Sequence, residues 1–177
     1  MTRLIQNDEV YREFILKAIP ETKRFLWIGT ADIKNMHVEQ GRRFVPFLKT
    51  LSDLIDRGCE VRLLHAKEPG PRFRADFDRY PAFVKSELFE RVLCPRVHFK
   101  AIIIDGKRAY IGSANFTGAG MGAKNERRRN FEAGVDTSDP GIVSGIMDLF
   151  DDVFIGKQCS ACSFLKECPD PVMNRNG

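Results

Sequence analysis

His98 and Lys100 are the residues from which a reaction can be built. They stand two apart in the run Val97–Ile104. Its alternating and then continuous apolar, β-branched character predicts a strand, so both side chains leave the same face. An imidazole nitrogen is a nucleophile, and an ammonium beside it can hold an anion in place for attack. Asp105-Gly106 then signals a tight hairpin turn, and Arg108–Ile111 reads as the returning strand. The hairpin brings Gly112-Ser113-Ala114-Asn115 back beside His98 and Lys100. An ammonium, a hydroxyl and a carboxamide together make a cradle for phosphate oxygens. The chemistry these residues suit is nucleophilic displacement at phosphorus.

Six of these positions fit one pattern, His-x-Lys-x4-Asp-x6-Gly-Ser-x-Asn, filled by His98, Lys100, Asp105, Gly112, Ser113 and Asn115. Asn115-Phe116-Thr117 and Asn130-Phe131-Glu132 follow. On these residues the chain resembles the phospholipase D superfamily, whose single-motif, nuclease-like branch it matches in carrying one copy of the pattern. The resemblance covers most of residues 1–155. It implies two-step phosphodiester hydrolysis in which His98 attacks phosphorus and a second histidine protonates the leaving oxygen. It also implies that Lys100 and Asn115 hold the phosphate oxygens, with Ser113 in support. Glu132 matches the family acid that hydrogen bonds the histidine ring and fixes its tautomer. Asp105 reads as a turn residue rather than a proton carrier. No metal is required for this chemistry. Neither His37 nor His65 lies in a second copy of the motif, so the resemblance implies a homodimer whose two motifs face each other across a two-fold axis.

Certain elements must position this hairpin. Residues 7–19 read as a helix capped by Asn7 or Asp8, with Val10, Phe14, Ile15 and Ala18 on one stripe. Lys23–Gly29 reads as a strand buried on both faces, and Thr30–Gln40 as a loop at its end. Phe44, Phe47, Leu48, Leu51, Leu54 and Ile55 predict a helix over 42–57, stopped by Gly58. Cys59–His65 is the next strand. Prolines at 69, 71 and 81 break residues 66–90 into short helices around 73–80 and 82–90. Residues 113–129 form a glycine-rich loop with Lys124, Arg127, Arg128 and Arg129, and Asn130–Asp136 resumes a strand. Asp139-Pro140 opens the last helix as cap and first residue. The fold class is α/β: a phospholipase D-like mixed β-sheet flanked by helices on both faces, with a Cys-rich C-terminal tail. Residues 1–155 are the expected catalytic domain, and 156–177 a metal-binding tail packed on it.

Of five cysteines, Cys159, Cys162 and Cys168 crowd that tail in the spacing C-x2-C-x5-C. Three close thiolates are half a metal cage. Cys94, just upstream of His98, is the expected fourth ligand, with Cys59 or a histidine as alternatives. Structural zinc is the expectation, and a 4Fe-4S cluster the alternative, since both accept four thiolates. An odd cysteine count with a Cys-x-x-Cys pair fits a reduced, cytoplasmic protein better than a disulfide framework.

The 177 residues carry a net charge of +4 and are 43% hydrophobic. The pI near 8.9 suits a polyanionic partner. No apolar run approaches membrane-spanning length, and no anchor is expected. These features favour a metal-independent nuclease acting on DNA or RNA. A phospholipase D-type lipid phosphodiesterase is one alternative. A nucleic-acid-binding module in DNA repair or phage defence is the other.

Overall fold

The computed structural model of the chain describes residues 1–34 and 36–172. A seven-stranded mixed sheet forms its centre, in the order β1-β9-β8-β7-β2-β5-β6. The strands are β1 Thr2–Gln6, β2 Phe25–Thr30, β5 Glu60–His65, β6 Phe89–Leu93, β7 Lys100–Ile104, β8 Arg108–Gly112 and β9 Ala133–Thr137. Strands β2, β5 and β6 run parallel, and the β2–β7–β8–β9–β1 half is antiparallel. Strand β7 is buried at every position, which its Lys-Ala-Ile-Ile-Ile composition permits only at the centre of a sheet.

Helices cover both faces, as the sequence predicts. On one face lie a π-helix, Tyr11–Ala18, and α1, Phe47–Asp56. They pack Phe14, Ile15, Leu48, Leu51 and Leu54 onto Leu26, Ile28, Leu63 and Ile102. The short helices α2, Pro71–Phe77, and α3, Ala82–Lys85, close the same side through stacked Phe77 and Phe83. On the other face α4, Pro140–Phe154, lays Val143, Ile146, Phe150 and Phe154 against Ala101, Ile103 and Ala109. Each such large side chain contributes about 1.5–3 kcal/mol of burial. Asp139 caps α4, accepting from the Ile142 N–H at 3.0 Å. The tail packs on this second face: Val172 is buried there, and the Leu93 N–H donates to Asp170 Oδ2 at 3.0 Å. Its residues 173–177 lie outside the described residues. Among the described residues no helix is long and apolar enough to cross a membrane.

Four elements differ from expectation. Residues 2–6 are strand β1, an edge strand whose partner β9 is far away in sequence. The expected helix over 42–57 starts only at Phe47. Residues before it form a hairpin, β3 His37–Gln40 with β4 Arg43–Pro46, turned at Gly41 with φ +64°. Pro46 has no N–H to give a helical turn, so the chain stays extended until Phe47. The end of the expected 82–90 helix is instead β6, which completes the parallel edge beside β5. Strand β7 begins at Lys100, leaving His98 in the extended segment that enters it.

Candidate active site

The site gathers where β7 starts. Its register places Lys100 opposite Gly112 on β8 and Ala101 opposite Gly29 on β2, so Lys100 lies beside the C-terminal end of β2. His98 is exposed, whereas Lys100 is only 6% exposed. The Lys100 Nζ donates to the His98 carbonyl at 2.6 Å and stands 3.5 Å from His98 Nδ1. Among the described residues no carboxylate forms an ion pair with this ammonium. A buried cation without a counter-charge is costly to the fold. An anion arriving beside it would offset that cost.

Ser113 and Glu132 form the next part. The Ser113 hydroxyl donates to Glu132 Oε2 through a short hydrogen bond. The other carboxylate oxygen accepts from Asn130 Nδ2 at 3.0 Å. Both oxygens therefore have partners other than the His98 ring. The backbone holds this pair in place: Ser113 N–H donates to the Ala133 carbonyl at 3.0 Å, and Asn7 N–H to the Glu132 carbonyl at 2.8 Å. Gly112 makes this close approach possible. A Cβ there would lie 2.6 Å from the Ala133 oxygen and 2.7 Å from Gly134 Cα, so no side chain fits.

Asn115 is fixed from β2. Its Oδ1 accepts from the Asp32 N–H at 3.1 Å and stands 3.4 Å from Thr30 Oγ1. The buried Thr30 hydroxyl donates to the Asp32 carbonyl at 2.8 Å and accepts from the Phe116 N–H at 3.0 Å. With Oδ1 held by the protein, Nδ2 is the donor end that Asn115 offers a ligand. Beneath the site, burial pushes the Tyr110 phenol up to about 12, and its oxygen accepts from the Ala114 N–H at 3.3 Å. It is a neutral support, not an acid.

Asp105 sits at the opposite end of β7, about 16 Å from Lys100 at the usual strand rise. Its carboxylate accepts the N–H groups of Arg24 at 2.7 Å, Lys23 at 3.0 Å and Phe25 at 3.1 Å. Burial pushes it up, but these three donors outweigh that and hold it below the usual carboxylate range. It ties the β7–β8 turn to the start of β2. His65 is fully buried and its burial disfavours the cation, so it is not a surface base.

A groove of about 390 Å³ opens along the segment that follows Asn115 in the chain, lined by Lys34, His37, Phe44, Thr117 and Lys124 among others. Phe44 on the β3–β4 hairpin is 64% exposed, and Phe131, adjoining Glu132, is 97% exposed. Of the four cations in the glycine-rich loop, Arg129 pairs with Asp8 at 3.2 Å, while Lys124, Arg127 and Arg128 are exposed. Thr30, Asn7 and Phe44 escape sequence reasoning. Thr30 and Asn7 act through partners distant in the chain, Asn115 with Phe116 and Glu132 respectively, and Phe44 stands between arginines and a proline.

The expected metal cage does not stand ready. Cys94, Cys159, Cys162 and Cys168 line one cavity, but among the described residues no group of three or more His, Cys, Asp or Glu side chains is set to hold a metal ion. Cys59 is buried elsewhere, its thiol 3.5 Å from the Thr22 carbonyl.

Residues 15–154, which include every residue of the site from His98 to Glu132, match the family model described as "Cardiolipin synthase, PLD-like domain". No curated protein sequence is similar enough to match. Solved structures with the same fold include NucT from Helicobacter pylori, at 15% identity and TM-score 0.63, covering 87% of this chain and 95% of that one. Nuc from Salmonella typhimurium, a phospholipase D family member, is similar at 20% identity and TM-score 0.59, covering 87% and 93%. TrmBL2, an archaeal chromatin protein with a novel mode of DNA binding, is similar at 15% identity and TM-score 0.59, covering 86% of this chain and 51% of that one. With the motif residues assembled around β7 and the family model spanning most of its length, the chain belongs to the phospholipase D-like family.

Proposed function

We propose that the protein is a nuclease that hydrolyses phosphodiesters of DNA or RNA through a covalent phosphohistidine, in a site completed by a second copy of the chain. The observation that carries this reading is the buried Lys100 ammonium, without a carboxylate partner among the described residues, beside the exposed His98. In the first step the His98 Nε2 lone pair forms the N–P bond while the P–O bond to the leaving group breaks. A histidine of the second copy gives its proton to the leaving oxygen. Water then attacks phosphorus, the N–P bond breaks, and the same second histidine takes the water's proton. Lys100 and Asn115 Nδ2 hold the oxygens whose charge grows in each transition state, a role worth about 10²–10³ in rate per donor. Ser113 and Glu132 brace the edge of the cradle.

Two features favour nucleic acid over lipid. Lys34 and Lys124 border the groove that Thr117, two residues after Asn115, helps to line, where a polyanionic backbone would be tracked. Phe44 stands exposed on its wall, in the position of a base-stacking platform. The DNA binding of TrmBL2 on the same fold fits this reading. Exposed Phe131, next to Glu132 at the site's edge, offers an apolar contact to the second copy.

The test is cleavage of labelled single- and double-stranded DNA and RNA in excess EDTA, with wild type beside His98→Asn. Chelator-resistant cutting that the variant loses, with acid-labile phosphate trapped on wild type, is the expected result. If no nucleic acid is cut while phospholipid is, the nuclease reading is wrong and the same site serves a lipid.

A further inference from the structure

We propose that Cys94, Cys159, Cys162 and Cys168 bind a thiophilic metal, as a single zinc ion or an iron–sulfur cluster, that pins the C-terminal tail to the segment leading into His98. These four of the five cysteines come from two distant stretches of chain, yet they line one cavity of about 30 Å³ with Leu93, Val153 and Leu165. The fifth, Cys59, is packed in the opposite core.

The backbone around the thiols is shaped for thiolates. Tight turns begin at three of them: Val97 N–H donates to the Cys94 carbonyl at 3.0 Å, Cys162 N–H to that of Cys159 at 3.1 Å, and Leu165 N–H to that of Cys162 at 3.1 Å. Such turns aim the next N–H groups at sulfur. Arg96 Nη1 donates to Cys162 Sγ at 3.6 Å. Donors directed at sulfur stabilise the anion, which is the form that ligates.

All five cysteines are free thiols, and the sulfurs do not meet at a point on their own. Binding would draw the four across the cavity they line, each thiol losing its proton. Cys94 lies four positions before the nucleophile, so the centre would fix the entry of β7 without touching substrate.

The full chain should be expressed in zinc-supplemented medium and, separately, anaerobically with iron, then assayed by elemental analysis and visible absorption. One zinc per chain without colour, or iron with a broad visible band, is the expected result, and the two arms tell the metals apart. Cys162→Ser and Cys168→Ser should lower bound metal to below about a tenth of wild type, whereas Cys59→Ser and His98→Ala should keep it. Should the serine variants misfold, titrating wild type with a mercurial must release the metal as thiols are consumed. Metal-free protein from both preparations, or full occupancy in both tail variants, would overturn the proposal.

Discussion

Lys100 and Asp105 belong to one strand and show opposite uses of charge. Lys100 is buried and, among the described residues, pairs with no carboxylate, so the fold carries its desolvation. Lys100→Met fills the same space without the charge. Its thermal midpoint should equal or exceed wild type, while kcat/KM falls about 10²–10³-fold, as calorimetry and diester hydrolysis would show together. A fall in stability would mean that Lys100 is structural. Asp105 works the other way, holding three backbone N–H groups of residues 23–25. Asp105→Ala should cost about 2–3 kcal/mol in urea unfolding and leave per-site kcat unchanged. Its carboxyl is held below the ordinary value of 3.8. Its contribution is therefore complete above pH 3.8, and is lost as pH falls through the depressed folded value. The gap between wild type and Asp105→Asn in an acid titration should close below that point.

Among the elements, the β3–β4 hairpin has no role in the central sheet, pairing only with itself. It carries the exposed Phe44 to the groove, and Arg42 and Arg43 beside it are exposed. Phe44→Ala should weaken single-stranded nucleic acid binding by about 1–3 kcal/mol, the worth of one stacked base. Hydrolysis of a small chromogenic diester, which cannot reach the hairpin, should not change. Equal losses on both substrates would place Phe44 in folding rather than in binding. The glycine at 112 is also an element-level constraint, because it lets β9 approach β8 beside Ser113. Gly112→Ala pushes Ala133 away and should displace Glu132 from Ser113, with loss of activity in a protein that still folds cooperatively.

For the whole molecule the question is the second histidine. If the dimer's single site takes one His98 from each copy, a protomer with His98→Asn spoils the site of the dimer it joins. Equal amounts of wild type and variant, exchanged to equilibrium, should then show about one quarter of the activity of the same total of wild type, not one half. Light scattering should report a dimer throughout, and Phe131→Glu should shift it to monomer and abolish cleavage. A linear mixing curve would mean that one chain is sufficient.

The sequence by itself determined the family and most of the helix-and-strand order. His98, Lys100, Gly112, Ser113 and Asn115 are close in the chain and joined by a hairpin, so local geometry nearly sets their relation. The hairpin turn, the buried strands and the cap of α4 rest on the same short-range rules of alternation, turn residues and capping. The tertiary structure decided what depends on partners far away. Strand β1 is unremarkable until β9 gives its backbone hydrogen bonds a partner. Phe44 looks like the start of an amphipathic helix until Pro46 and the turn at Gly41 commit it to a hairpin. Glu132 reads as a partner of the histidine ring, and only the fold sets Ser113 and Asn130 on its two oxygens. The four cysteines that line one cavity meet there because the second face of the sheet gives the tail an apolar surface to pack on, burying Val172.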